Sequence, residues 1–191
     1  MDIAPRHLST SELEAGLSEI LSSPEDAGRL ELIVVRPGVD ERRQLTTARL
    51  TVEGGVEGDR WARDPGHRMD DGRPDPSSQV SLMNTRILRQ IAARRDDAMC
   101  LAGDNLIVDL DLSDQNLPTG SRLAIGAEVV VEISGLLHTG CTKFARRYGD
   151  QARSFINGPQ GRPLHLRGRY ARVVKGGVVE VGQTVRKLPP G

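Results

Sequence analysis

Little of this chain is sulfur or aromatic. Of its 191 residues two are cysteine, and Phe, Trp and Tyr together make up 3%. Two cysteines, Cys100 and Cys141, do not make the disulfide framework of a small secreted domain. So few aromatics exclude a stacking platform that tracks single-stranded bases. Net charge is missing too, because 26 Lys+Arg are balanced by 26 Asp+Glu. With no global attraction to nucleic acid or anionic lipid, an anionic ligand has to be met by a local basic cluster. No stretch of 18 consecutive apolar residues is present, which predicts no helical membrane span. The opening MDIAPRHLSTSELE lacks the basic region and apolar run of a secretory signal. Together these absences predict a cytoplasmic chain with no nucleic-acid or membrane partner, in a compartment where thiols stay reduced.

What is present reads as one domain with an appended segment, long enough to bury a sizeable core. Val, Ile and Leu must fill that core, while 21 Gly and 11 Pro point to many turns. Residues 1–29 read as an N-terminal helical extension. Ser9 and Glu12 have capping-box spacing, Leu13, Leu17, Ile20 and Leu21 form one stripe, and Ser-Ser-Pro at 22–24 ends it. A helix this short is marginal alone and is expected to dock on the main domain or on a partner. From Leu30 the texture changes. LELIVV (30–35), QLTTARLTV (44–52), NLIVDLDL (105–112), SRLAIG (121–126) and AEVVVEISG (127–135) are strand-like, with glycine-containing turns between them. RYARVVKGGVVEVGQTVRKL holds three more short strand runs around Gly176-Gly177. VSLMNTRILRQIAARR predicts a helix of three to four turns ending near Arg95, and a second helical region is expected over roughly 142–157. The polar, proline-bearing stretch 62–79 is too long for an idle loop and reads as functional or disordered. The expected fold class is mainly β (α+β), a closed or nearly closed β-barrel with a few peripheral helices.

The chemistry concentrates in HTGCTKFARR, residues 138–147. Cys141 admits two readings, a small buried core residue or a thiolate that reacts or binds metal. Its neighbours favour the second. It follows Gly140 where an apolar strand ends and a helix starts, where free backbone N–H groups favour a thiolate, with Lys143 and Arg146 pushing the same way. His138, three residues earlier, is a hydrogen-bonding residue or one half of an H-x-x-C ligand pair. A structural zinc needs four ligands, and Cys100, His67, His165 and His7 are scattered without paired spacing. No residue marks itself as the third member of a Cys-His hydrolytic set. In GDRW (58–61) Asp59 reads as a turn cap, or Arg60 and Trp61 as the lining of a pocket mouth. In GDNL (103–106) Asn105 reads as a turn residue or as an amide aimed at a ligand. Arg162, Arg167, Arg169 and Arg172 make a basic run in which Arg167 and Arg169, flanking Gly168, would share one strand face. If that face meets Cys141, a thiolate beside guanidinium groups suits a small phosphate-bearing ligand.

Taken in order, TARLTVEGGVEGDRW (47–61), QVSLMN (79–84), GDNLIVDLDL (103–112), LPTGSRLAIG (117–126), VVVEISGLLHTGCTKF (129–144) and RGRYARVVKGGVVEVGQTV (167–185) resemble the MOSC domain, the molybdenum cofactor sulfurase C-terminal module. The resemblance covers residues 30–188, leaving 189–191 as a tail. It implies a barrel-like fold whose single cysteine, matched by Cys141, carries sulfur or binds the molybdenum of a pterin cofactor. Thiolate is the side-chain ligand that a soft metal centre prefers. Arg60, Asn105, Lys143, Arg167 and Arg169 then become candidates for cofactor binding, the cations toward its phosphate, and His138 a candidate to orient a ligand or shuttle a proton beside Cys141. The stretch DPGHRMDDGRPDPSSQ lacks the His-Gly-Gly motif of some stand-alone members, and Asp104 stands where glutamate is common, so the substrate does not carry over.

By that resemblance the chain would reduce N-hydroxylated small molecules at a molybdenum–pterin cofactor, drawing electrons from a separate electron-transfer protein. No flavin fingerprint or iron–sulfur ligand set is present. One alternative is a sulfur carrier on which Cys141 accepts persulfide from a separate cysteine desulfurase. Pyridoxal phosphate is not expected in this chain, which shows no aminotransferase-like domain. The other alternative is a barrel without chemistry that binds a small ligand.

Overall fold

A computed structural model describes residues 6–190. Seven strands close a barrel: β1 (Ala27–Val35), β5 (Val80–Asn84), β6 (Leu106–Asp109), β7 (Arg122–Ile125), β8 (Val129–Ile133), β9 (Arg169–Lys175) and β11 (Thr184–Lys187). They run in the spatial order β11-β7-β8-β9-β5-β6-β1, and β1 pairs back onto β11. Only the β5–β6 pair is parallel, and the chain between them crosses through α3 (Thr85–Ile91) and α4 (Asp96–Met99), as a parallel connection requires. A short β2 (Arg43–Leu45) extends β1. A three-stranded sheet of β3 (Thr47–Thr51), β4 (Gly55–Val56) and β10 (Gly177–Glu180) stands beside the barrel. Strands β9 and β10, although separated only by Gly176, therefore pair with different partners rather than as a hairpin.

Two cores follow from the period-2 alternation of strand side chains. Leu30, Ile33, Val80, Leu82, Leu106, Val108, Val131 and Val173 fill the barrel. Their alternates Leu32, Met83 and Ile107 instead join a second cluster with Ile87, Leu88, Phe144, Tyr148 and Ile156 from the helices. A register shift in β1 between Leu30 and Leu32 keeps both sets in phase.

The N-terminal segment folds as two short helices, α1 (Thr10–Ala15) and α2 (Leu17–Leu21), behind the Ser9–Glu12 capping box. Leu13 and Ile20 are buried in the second core, and Gln90 Nε2 donates to the carbonyls of Glu12 and Leu13. The segment thus docks on its own chain. Leu21, read as part of the apolar stripe, is 59% exposed.

Three element readings are corrected. Val80–Asn84 is a strand, not the first turn of a helix. All five of its residues are buried, and a strand apolar on both faces cannot be told from a buried helix by period. The helix starts only after Asn84, whose side-chain oxygen caps the N–H groups of Arg86 and Ile87. The helix expected over 142–157 is two, α5 (Thr142–Tyr148) and α6 (Asp150–Asn157), broken at Gly149 with φ +97°. The stretch 62–79 is folded rather than open: Arg68 bridges Pro74, and Pro76–Ser78 form a 3-10 turn capped by Asp75.

Candidate functional site

Cys141 is the N-cap residue of α5 and is exposed. The backbone that delivers it is clamped by α6: Gly140 N–H donates to Asn157 Oδ1 at 2.8 Å, and Asn157 Nδ2 donates to Gly140 O at 3.0 Å. Gly140 packs closely there, since an added Cβ would lie 2.9 Å from Ile156 Cδ1 and would push that side chain aside. Burial pushes the thiol pKa up, but the backbone N–H groups of Phe144 and Lys143 and the charge of Arg167 outweigh it and hold the pKa below the usual value. The sulfur is therefore accessible and biased toward thiolate.

Next to it lies a buried polar set. Arg167 Nη1 donates to Asp104 Oδ2 at 2.6 Å, and the guanidinium stands 5.2 Å from the centroid of Phe144. Asp104 is 1% exposed. Its other oxygen, Oδ1, has no hydrogen-bond partner and faces His138 Nδ1, also unpartnered, at 3.5 Å. Arg167 Nε lacks a partner as well. His138 stacks on Tyr170 with centroids 4.2 Å apart, and His67, from the folded 62–79 stretch, meets the same ring edge-on at 5.7 Å. Burial, together with the charges of Arg167 and Arg36, pushes the His138 pKa well below its ordinary value, so the ring is neutral at pH 7. Burial pushes the Asp104 carboxyl up against the pull of Arg167.

A second network braces this set. Asp59 accepts from Arg36 N at 2.8 Å and from Arg36 Nε and Nη2, each at 2.9 Å. Burial pushes its carboxyl up, and these bonds overcome that to hold the pKa below the usual range. Asn105 joins the network by donating to Asp59 Oδ2 and Val34 O and accepting from Ser81 N–H and Arg36 Nη2.

The structure thus brings Cys141, His138 and Arg167 together and separates the other candidates. Asn105 is fully buried with every side-chain bond spent inside the protein, so its amide is a brace and not a ligand contact. Arg169 is turned away from Arg167. Gly168, at φ +102°, bends the chain before β9 starts, so the two arginines are not alternate residues of one strand. Arg169 pairs with Asp114 at 3.1 Å instead. An added Cβ on Gly168 would sit 2.1 Å from Leu82 O, which fixes the bend as glycine's. Arg60 pairs with Asp64 at 2.5 Å, and Trp61, 5% exposed, donates its indole N–H to Ser78 and lines no pocket mouth. Lys143 reaches Asp40, not the thiol. Arg36 and Tyr170 went unread in the sequence. Tyr170's signal was weak but available, as one of two tyrosines in a chain with five aromatics. Cavities of about 570 and 1070 Å³ open elsewhere, around Asp111–Asn116 and Pro118–Arg122, and Cys141 lines neither.

Fold and site define a closed seven-stranded barrel with one accessible cysteine at the start of a helix, flanked by a buried Arg–Asp–His set. Residues 70–186 match the family model of the MOSC domain, and the chain belongs to that family. No curated protein matches it in sequence. Among solved structures it is similar to the YuaD protein from Bacillus subtilis (TM-score 0.55, 17% identity, 83% of this chain and 94% of that one). It is also similar to YiiM from Escherichia coli (0.55, 16%, 85% and 71%) and YiiM from Geobacillus stearothermophilus (0.53, 16%, 88% and 76%). At these identities the likeness is one of fold.

Proposed function

We propose that this protein holds a molybdenum–pterin cofactor through the Cys141 thiolate and reduces N-hydroxylated small molecules there. The observation that carries the reading is an exposed sulfur, biased toward thiolate, beside three buried polar atoms without partners: Asp104 Oδ1, His138 Nδ1 and Arg167 Nε. Buried polar atoms are rarely left unpaired, and such a cluster beside a nucleophilic sulfur fits a polar ligand. Among the described residues no group of three or more His, Cys, Asp or Glu side chains is arranged to hold a metal ion, and Cys141 is the soft donor that would hold the molybdenum. When bound, the cofactor supplies a two-electron couple at a soft centre.

The chain's own residues supply the remainder. Converting R–NHOH to R–NH2 consumes two electrons and two protons and releases water. A neutral His138 carries one ring proton and presents one lone pair, and its Nδ1 stands 3.5 Å from Asp104 Oδ1 without a hydrogen bond between them, so both atoms are open to a ligand's polar group and His138 is the group placed to give or take a proton. Tyr170 and Arg167 keep the imidazole and the carboxylate in place by stacking and ion pairing. Electrons come from a partner protein. The test is metal content of the protein purified from a host that makes the cofactor. Stoichiometric molybdenum, lost in Cys141→Ser, is expected; molybdenum retained in that variant would overturn the assignment.

A second reading has support of its own, since Cys141 is exposed and engaged in no disulfide. It would then accept persulfide sulfur from a separate desulfurase. Metal-free protein that gains one sulfane sulfur, lost in Cys141→Ser, would favour this reading.

A further inference from the structure

Cations near the cysteine helix converge on a single exposed carboxylate. Asp40 lies in the loop between β1 and β2 with φ +59°, a left-handed conformation that Asp and Asn enter more readily than other non-glycine residues. It accepts from Lys143 Nζ at 3.1 and 3.2 Å and from Arg147 Nη2 at 3.1 Å. Lys143 and Arg147 are four residues apart and share one face of the helix that Cys141 opens. Two residues beyond Asp40, the Arg42 guanidinium packs against Gly103, where an added Cβ would lie 2.8 Å from its Nε, and that Nε has no partner. Burial lowers the Arg42 pKa and so do Arg147, Arg36 and Arg60, while the charge of Asp40 works against them. Two cations thus pair with one carboxylate, and a third, Arg42, lies two residues away without an ion pair of its own to it.

We infer that Arg42, Lys143 and Arg147 form a subsite for a phosphate-type oxyanion, and that Asp40 occupies it as an internal stand-in which an incoming anion displaces. The inference rests on the reading above in taking the Cys141 ligand to have an anionic end. A phosphate carries more charge than a carboxylate and offers three acceptor oxygens rather than two. The Asp40 side chain is 57% exposed to solvent, so its contacts are weak enough to yield. The natural occupant is either the phosphate of the Cys141-held cofactor or free phosphate.

Calorimetric titration of metal-free full-length protein with inorganic phosphate tests this. Asp40→Asn keeps a residue that tolerates the left-handed backbone while removing the competing charge. It should bind phosphate about two- to fivefold more tightly, the range an exposed ion pair commands. Lys143→Gln/Arg147→Gln should weaken binding by about tenfold or more, and Cys141→Ser should match wild type. Equal or weaker binding by Asp40→Asn, or undiminished binding by the double variant, overturns the subsite. Cofactor-loaded protein that no longer binds inorganic phosphate supports the cofactor's phosphate as occupant; unchanged binding supports free phosphate. If phosphate behaves as expected while Cys141→Ser retains molybdenum, the subsite stands and only the thiolate assignment fails.

Discussion

Removing Arg167 should expose how much of this protein rests on one buried ion pair. Asp104 is 1% exposed, its Oδ2 meets Arg167 at 2.6 Å, and its Oδ1 makes no hydrogen bond. With charge centres about 4 Å apart and an effective dielectric near 20, the pair attracts by about 4 kcal/mol. Breaking a buried pair from one side costs about 3–5 kcal/mol, because the remaining charge is stranded. Arg167→Met keeps an unbranched, flexible side chain in place of the aliphatic stem, removes the charge and also gives up the cation–π contact with Phe144. A domain stable by about 5–15 kcal/mol should lose a large part of that margin at pH 7.

The sign with pH is definite. Burial already raises the Asp104 pKa, and without Arg167 it rises further. A carboxyl whose folded pKa exceeds its unfolded value destabilises most above the folded pKa. The penalty fades as pH falls through that value and is gone below the ordinary carboxylate range. Urea unfolding followed by circular dichroism should therefore show a lowered midpoint for Arg167→Met at pH 7, partly recovered at pH 5. Adding Asp104→Asn should restore most of the loss at pH 7, with a coupling of about 1–3 kcal/mol in the double-mutant cycle. If Arg167→Met lies within about 1 kcal/mol of wild type at pH 7 and its deficit ignores pH, Asp104 is not a charge that depends on Arg167, and this account fails.

Two further outcomes follow. Cys141 in the native protein should alkylate with a pH midpoint below that of an ordinary thiol, and urea should move it back up, because the Phe144 and Lys143 N–H groups that favour the thiolate exist only in the fold; coincident native and unfolded midpoints would refute this. Gly168→Ala should destabilise by about 3 kcal/mol or more in thermal unfolding, since its Cβ would collide with the Leu82 carbonyl at a positive φ; a change below 1 kcal/mol would show that the bend is not glycine's to make.

Much of the barrel was legible because period-2 alternation is local. Val129–Ile133 and Arg169–Lys175 announce themselves as strands from their own residues. Val80–Asn84 did not, because a strand buried on both sides carries no alternation to read, and the helix following it lent it a helical look. The break at Gly149 depended on what packs there: a Cβ would sit 2.9 Å from His7 Cβ, a contact 142 residues away in sequence.

At the site the division is sharper. Sequence alone determined that Cys141 sits between Gly140 and a helix start, since junction, glycine and helix are all built from neighbouring residues. It determined the presence of many cations but not their use, because an arginine's role is set by the carboxylate it reaches. Only the folded chain sent Arg167 to Asp104 and Arg169 to Asp114, spent Asn105 on an internal brace, and set His138 against Tyr170. Those partners lie 32 to 63 residues apart, brought together by strand register and one glycine bend. Side-chain identity travels with the sequence; electrostatic environment belongs to the packing.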